Sequence, residues 1–154
     1  MNVTIEVSEI VLTLLASSEC LSKTLHGEAR SETQSSQLDV AAVVLNRVYN
    51  SPKYPNTICE VTEQPNQFSS RQRWDVNYYY TERVYAGFET TASERKIKKE
   101  LDKLSISAIL NYKQLKSYGD VYHFYHKDYP PYWAESERLT YSHTSGVHVF
   151  LKGY

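Results

Sequence analysis

The sequence predicts an α+β fold that is mainly helical, with a small β-sheet near the C-terminus. Apolar residues recur at helical spacing through the first two thirds of the chain. Beyond residue 120 the pattern changes to short runs of β-branched and aromatic residues, which favour strands. The chain has 154 residues, a length typical of one domain, so we expect a single domain over residues 1–154.

Two helices are expected in the first third of the chain. Ser8 can cap the first helix, and Gly27 is expected to end it. The second begins near residues 35–36 and ends at Pro52, since proline lacks an amide hydrogen. Residues 41–45 are apolar nearly all round, which predicts that this is the buried central helix. The inward positions of both helices are predicted to be Val11, Leu14, Leu15, Leu21, Leu25, Leu38, Ala41, Ala42, Leu45 and Val48.

Two capping patterns predict later helices. Thr57 and Glu60 can form a capping box that opens a short helix. Thr91 and Glu94 can form a second box, which opens a charged amphipathic helix ending near Gly119.

The remaining segments are predicted to be loop or strand. Residues 65–77 are polar and aromatic, which is typical of a loop. Residues 121–125 and 147–151 have the composition of strands, and residues 131–135 can form a short helical turn between them.

The charge balance excludes several classes of protein. Lys and Arg number 17, Asp and Glu number 18, and the formal net charge is −1. Without a global basic field, coating nucleic acid is not expected to be the main function. No segment approaches the roughly 20 apolar residues that a membrane span needs. Residues 1–9 lack the basic start of a secretory signal, so we expect synthesis in a cytoplasm without a signal peptide.

Cysteine and tyrosine usage give two further expectations. In a cytoplasmic protein, Cys20 and Cys59 are expected to be small buried thiols, with a disulfide as the less favoured alternative. The 14 tyrosines suit half-buried positions and grooves that hold polar ligands such as sugars or peptides. A tyrosine-rich surface with no special role is the alternative.

Glu28 is a candidate acid because of its position. It lies where the first helix is expected to end, and the negative end of the helix dipole disfavours an ionised carboxylate. Half burial would add a desolvation cost and raise the pKa of this carboxyl toward neutrality. A carboxylic acid that is still protonated near neutral pH can donate a proton to the leaving oxygen of a glycosidic bond. From position alone, the alternative is a surface glutamate without such a role.

Several ordered motifs resemble the SleB-type cell-wall hydrolases, a family that includes the germination-specific cortex-lytic enzymes of spores and many phage lysis proteins. The similarity is close over residues 20–70 and looser over residues 120–151. The matching motifs are LSKTLHGEARSE (21–32), VAAVVLNRV (40–48), YPNTICEV (54–61), QPNQFS (64–69), YHFY (122–125), WA (133–134) and GVHVF (146–150).

The resemblance implies a lysozyme-like, mainly helical fold related to lytic transglycosylases. It implies that the partner is the glycan strand of peptidoglycan, with no cofactor and no metal. In the family the glutamate of the GEA element is the catalytic acid, and here that residue is Glu28. Together with the missing signal sequence, the resemblance predicts a phage lysis enzyme or virion component that acts on the bacterial cell wall.

One acid is sufficient if the substrate supplies the nucleophile. Glycosidases that use water normally need a second carboxylate. Glu32 lies four residues after Glu28 and is expected to raise its pKa rather than attack the sugar. The 6-hydroxyl of the muramoyl residue can instead attack its own anomeric carbon, which gives a 1,6-anhydro sugar, as the resemblance to lytic transglycosylases implies. Hydrolysis by water stays open.

The predicted cleft residues come mainly from the matching motifs. Gln67 can exchange hydrogen bonds with acetamido groups, and Phe68 can wall the pocket. The full set of predicted substrate-binding residues is Glu32, Gln67, Phe68, Ser69, Tyr122 and His123. Structural roles are expected for Asn46 and Arg47, a place in the core or at the cleft edge for Trp133, and a structural hydrogen bond for His148.

Two rival functions come from different classes. A zinc peptidase or amidase could draw its ligands from Asp120, His123, His126, His143 and His148, but there is no HExxH element. His123 and His126 would also point to opposite faces of a strand. A non-catalytic wall-binding module could use a tyrosine-lined groove without cleaving the glycan.

Overall fold

The computed structural model describes the backbone of residues 3–153 and the side chains of residues 8–153. Within this range five α-helices precede a three-stranded sheet, which confirms the predicted α+β, mainly helical class. The helices are α1 (Val3–Ala29), α2 (Gln34–Asn50), α3 (Ile58–Thr62), α4 (Val76–Ala86) and α5 (Ala92–Leu110), and the strands are β1 (Val121–His126), β2 (Leu139–Ser145) and β3 (His148–Gly153).

Helix α2 is the central helix, as predicted. All of residues 39–48 are buried, and α2 packs against α1, α3, α5 and β1. Thr33 caps its start by accepting a hydrogen bond from the Ser36 N–H, and Ser51 ends it before Pro52. A helix that is apolar on nearly every side is stable only where neighbouring helices and strands cover all of its sides.

Helix α1 differs from the prediction at both ends. It begins at Val3, so Ser8 lies inside the helix and does not cap it, and it continues through Gly27 to Ala29. Among its described side chains, those in the C-terminal half pack inward: Leu21 and Leu25 are fully buried, whereas Val11 and Leu15 are 47% and 51% exposed. Helical spacing identifies a possible inner face, but the neighbouring elements decide how far along the helix that face is covered.

The two predicted capping boxes open helices at the expected residues. Thr57 accepts from the Glu60 N–H at the start of α3, and Thr91 with Glu94 forms a reciprocal box at the start of α5. Helix α5 ends at Leu110, short of the predicted end near Gly119, and a 3₁₀ turn follows it.

Helix α4 was not predicted. Asp75 caps its start by accepting from the Asn77 N–H, and Gly87 ends it in a left-handed conformation with φ 74°. Its three consecutive tyrosines give no apolar repeat at helical spacing, and only Thr81 and Val84 are buried. The predicted loop at residues 65–77 accordingly contains a 3₁₀ turn at Ser69–Arg71 and the first two residues of α4.

The sheet contains the two predicted strands and one that was missed. Its order is β1-β3-β2, with both pairs antiparallel, so the last strand is central. The missed strand β2 is largely polar and none of its residues is fully buried, so it lacks the alternation of apolar and polar residues that identifies a half-buried strand. The predicted helical turn between the strands is the 3₁₀ turn Tyr132–Glu135.

The expectation of two reduced, buried thiols is wrong. Cys20 and Cys59 form a disulfide with a Cα–Cα distance of 5.2 Å, and both are only half-buried. The bond joins α1 to α3, which lie against each other in the fold. Composition cannot reveal such a pairing, because packing brings together two residues that are 39 positions apart.

No helix within residues 3–153 is both long and apolar enough to cross a membrane.

Candidate active site

Glu28 lies in the last turn of α1 and faces a cavity of about 390 Å³, here called the Glu28 cavity. The cavity is formed where the end of α1, the loop after α3 and strands β1 and β3 meet. Its lining residues are Glu28, Arg47, Asn66, Gln67, Phe68, Ser69, Trp74, Phe124, Tyr125, His126, Trp133 and His148. Among these residues Glu28 carries the only carboxylate.

The surroundings of Glu28 favour its protonated form. Burial raises the pKa of this carboxyl from 4.5 to about 7, and the nearby Asp75 charge adds to the rise. The polar groups of Ser70 and the Arg71 charge counteract part of it. The Ser70 hydroxyl is buried and forms no hydrogen bond of normal geometry within the described residues. The carboxyl can therefore both donate and accept a proton near neutral pH.

Gly27 allows the 3₁₀ turn at Ser69–Arg71 to lie directly against α1. A Cβ atom on Gly27 would overlap the side chain of Ser70. The glycine predicted to end the helix is instead a point of close packing within it. This contact places Ser70 next to Glu28 and brings Ser69 to the cavity wall.

Arg47 is a buried cation that helps to form the cavity wall. Its Nε donates to the Tyr122 carbonyl oxygen at 2.8 Å, and its Nη1 donates to Gln67 Oε1 at 3.1 Å. The guanidinium also lies over the rings of Tyr54 and Phe68, 4.7 and 5.1 Å from their centroids. Arg47 thus fixes the Gln67 side chain at the cavity while joining α2 to β1, in agreement with the predicted structural role.

Asn46 has all four of its hydrogen-bonding positions occupied by protein groups. Its Nδ2 donates to the carbonyl oxygens of Ser117 and Val121, and its Oδ1 accepts from the Tyr112 hydroxyl and the Gly119 N–H. A fully buried amide with this pattern positions the segment before β1 and has no capacity left for a ligand. The structural role predicted for Asn46 agrees with these contacts.

The structure brings only some of the predicted substrate-binding residues to Glu28. Gln67, Phe68 and Ser69 line the Glu28 cavity, with Phe68 buried and the other two exposed. Glu32 does not line it: its Oε1 accepts from the Val147 N–H at 2.7 Å and so holds the β2–β3 turn. Tyr122 also lies elsewhere, with its hydroxyl donating to the Asn50 carbonyl oxygen.

His123 lies in a second cavity of about 450 Å³, here called the side compartment. The side compartment shares Asn66, Gln67 and Trp133 with the Glu28 cavity, so the two form one groove. Burial, followed by the charges of Arg47 and Lys53, lowers the pKa of His123 to about 4, so the ring is neutral at physiological pH.

The sequence analysis missed Trp74, which lies in the loop before α4 and is 69% exposed although it lines the cavity. Trp133 lines the cavity from the 3₁₀ turn between β1 and β2, in agreement with the cleft-edge position that was one of its two expected places. Aromatic rings at a groove edge can cover the apolar faces of sugar rings. An isolated tryptophan in a polar loop was the available signal for Trp74, since such a residue has little reason to lie there without a ligand or a core.

His148 does not make the predicted structural hydrogen bond. It lines the Glu28 cavity, and its Nδ1 is buried without a hydrogen-bond partner in the described part of the chain. The nearest carboxylate oxygen, Glu32 Oε1, lies 3.8 Å away. Burial lowers the pKa of this imidazole, although the Glu32 charge partly opposes the shift.

The side chains proposed for a rival zinc site do not converge. No group of three or more His, Cys, Asp or Glu residues among the described side chains is placed to hold a metal ion. His143 instead lies 3.2 Å from the buried Asp39 carboxylate, on the side of β2 that faces α2.

Comparison of the sequence and the structure with known proteins identifies one matching family and one similar fold. A family model described as Cell Wall Hydrolase matches residues 31–151. Over 50 residues the chain is 42% identical to the spore cortex-lytic enzyme of Bacillus subtilis (strain 168), an alignment that covers 32% of this chain but only 16% of that protein. The fold is similar to that of the catalytic domain of the germination-specific lytic transglycosylase SleB from Bacillus anthracis. The TM-score is 0.59, with 23% identity over 88% of this chain and 93% of the other, and this match confirms the predicted lysozyme-like fold.

Proposed function

The chain belongs to the cell wall hydrolase family, as its motifs predict, and we propose that it cleaves the glycosidic bond between N-acetylmuramic acid and N-acetylglucosamine as a lytic transglycosylase. Glu28 is the general acid and base of this proposal. The observation that carries it is a single carboxylate in the cavity, with its pKa raised to about 7.

The proposed reaction needs one protein group that first donates and then accepts a proton. Protonated Glu28 donates its proton to the glycosidic oxygen while the bond from that oxygen to the muramoyl anomeric carbon breaks. The muramoyl 6-hydroxyl then attacks the anomeric carbon and gives its proton to the Glu28 carboxylate. The products are a 1,6-anhydromuramoyl end and a free 4-hydroxyl on the departing glucosamine, and Glu28 is protonated again.

Glu28 carries the only carboxylate among the described residues that line the cavity, and this favours the proposed route over attack by water. Asp75 is the acidic residue whose charge raises the Glu28 pKa, but its Oδ1 accepts from the Asn77 N–H at 2.7 Å as the cap of α4. Asp75 does not line the Glu28 cavity, so it is poorly placed to activate a water molecule there. Glu32 is held at the β2–β3 turn, as described above.

The cavity walls suit a glycan strand. Trp74 and Trp133 offer aromatic faces, and Gln67 is held by Arg47 with its Nε2 free to donate to an acetamido carbonyl. We propose Gln67, Ser69 and Trp74 as substrate-contacting residues around Glu28, with the buried Phe68 forming part of the cavity wall.

Mass spectrometry of muropeptides released from purified sacculi tests the reaction. Anhydromuramoyl ends are the expected product, whereas reducing muramic ends would show hydrolysis and free stem peptides would show an amidase. Glu28→Gln should abolish release while leaving sedimentation with sacculi intact. Glu19→Gln, an exposed change on the same helix, is the matched control and should release muropeptides at the parent rate.

We also propose phage-mediated lysis as the biological setting, on the basis of the family resemblance described above. Cells that express the chain in their cytoplasm should keep their turbidity until the inner membrane is permeabilised with chloroform, and should then lyse. Lysis without permeabilisation would contradict this setting and would leave the proposed reaction standing.

A further inference from the structure

We infer that the side compartment binds the carboxylates of the peptide stem attached to the muramoyl residue. This inference rests on the proposed function, because it assigns a substituent of the same substrate to the cavity next to Glu28. The muramoyl ring carries a lactyl ether that leads into a peptide with free carboxylates, so the peptide must leave the Glu28 cavity in some direction. The side compartment is a direct continuation of that cavity through Asn66, Gln67 and Trp133.

The described residues that line the side compartment carry positive charge. Lys53 and Arg138 are among them, and no Asp or Glu is. The Arg138 guanidinium forms no ion pair within the described residues, and its acidic sequence neighbours Glu135 and Glu137 are exposed and do not line the compartment. Two cations in a cavity whose described lining holds no acidic side chain match an anionic ligand better than a neutral sugar.

His123 adds a hydrogen-bond acceptor to the same compartment. Its Nε2 is buried and has no partner in the described part of the chain, while the main chain of Gly153 interacts with the ring. Because the ring is neutral, an unprotonated Nε2 can accept a hydrogen bond. A peptide supplies amide N–H donors next to its carboxylates, so one ligand satisfies both features.

The described lining of the Glu28 cavity offers no comparable anion site. Its cation, Arg47, is already engaged by the Tyr122 carbonyl, by Gln67 and by two aromatic rings. The groove is thus divided into a part suited to an uncharged ring and a part suited to an anionic chain.

The test compares two soluble tetrasaccharide substrates that differ only in the stem, one with free carboxylates and one with the same carboxylates amidated. Amidation removes the charge with little change of shape. The parent should cleave the free-acid substrate with about tenfold higher kcat/KM, since exposed charge pairs each contribute up to about 1 kcal/mol. The double variant Lys53→Gln/Arg138→Gln should reduce this ratio to about one by slowing only the free-acid reaction.

The control is Arg95→Gln/Lys99→Gln, which removes two exposed charges from α5 and should keep the parent ratio. Equal kcat/KM on both substrates by the parent, or an unchanged ratio in the Lys53/Arg138 variant, would overturn the inference while cleavage itself continued. Loss of cleavage of both substrates by the parent would instead contradict the proposed function. In that case, titration of the free-acid and amidated stem peptides into the Glu28→Gln protein, followed by NMR, decides the inference: preferential binding of the acid supports it, and equal binding overturns it.

Discussion

At the scale of single residues, the protonation of Glu28 sets the pH range in which the proposed enzyme works. The carboxyl must carry a proton to start the reaction, and its pKa is raised to about 7 by burial. We expect kcat/KM to fall about tenfold per pH unit above that value. A pH profile on sacculi or soluble glycan checks this. A fall centred near 4.5 would show that the carboxyl is solvated in the working enzyme.

The same pKa shift means that Glu28 lowers the free energy of unfolding at neutral and alkaline pH. The folded protein holds this proton more tightly than the unfolded chain, so the associated stability is complete below pH 4.5 and is lost as the pH rises to 7. The Gln side chain does not titrate, so Glu28→Gln should not lose this stability. Between pH 4 and pH 8, the difference in the free energy of unfolding between variant and parent should therefore shift by about 3 kcal/mol in favour of the variant. Urea unfolding at the two pH values measures this. Glu19→Gln should show no such change, and neither should Glu28→Gln if the carboxyl is hydrated.

At the scale of elements, the contact between α1 and the 3₁₀ turn at Ser69–Arg71 joins the acid to the cavity wall. Helix propensity alone would make Gly27→Ala stabilising by about 1 kcal/mol. The overlap with Ser70 should outweigh this gain, because overpacking costs about 1–3 kcal/mol. We expect a net loss of stability together with a lower kcat, because the displaced 3₁₀ turn moves Ser69 away from the cavity wall.

Gly87→Ala is the control for the Gly27→Ala prediction. Gly87 has φ 74° and open space around its Cα, so alanine there costs about 1 kcal/mol through backbone strain. Activity should stay at the parent level. If Gly27→Ala were as stable and as active as the parent, the close contact would not matter to the site.

Local chemistry decided which elements could be predicted. Thr57 and Thr91 begin helices because their side chains satisfy backbone N–H groups within four residues, an interaction that the sequence displays directly. Helix α4 was missed because Tyr78 and Tyr80 are half-buried against Arg side chains from other elements: Arg71 lies over Tyr78, and Arg30 lies over Tyr80. Such contacts depend on which elements meet, so they leave no period in the sequence.

At the scale of the whole molecule, the Cys20–Cys59 disulfide closes a segment that contains both Glu28 and α2. The bond also ties α3, and with it the loop that carries Gln67, to α1. Replacing both cysteines by serine should lower the free energy of unfolding by about 2–4 kcal/mol. Thermal unfolding with and without dithiothreitol measures the effect: the reductant should lower the Tm of the parent and leave that of Cys20→Ser/Cys59→Ser unchanged. Equal melting of oxidised and reduced parent would contradict this role.

The sequence by itself determined the buried central helix, the capping boxes that open α3 and α5, two of the three strands, and the position of Glu28 at the end of α1. These features depend on short-range hydrogen bonds and on apolar periodicity, which neighbouring residues along the chain determine. Only the tertiary structure decided that Gln67 reaches Glu28 while Glu32 and Tyr122 do not, that Trp74 joins the cavity, and that the cysteines pair. These outcomes depend on distances between segments far apart in the chain, which are set by how the helices and the sheet pack and not by any local pattern.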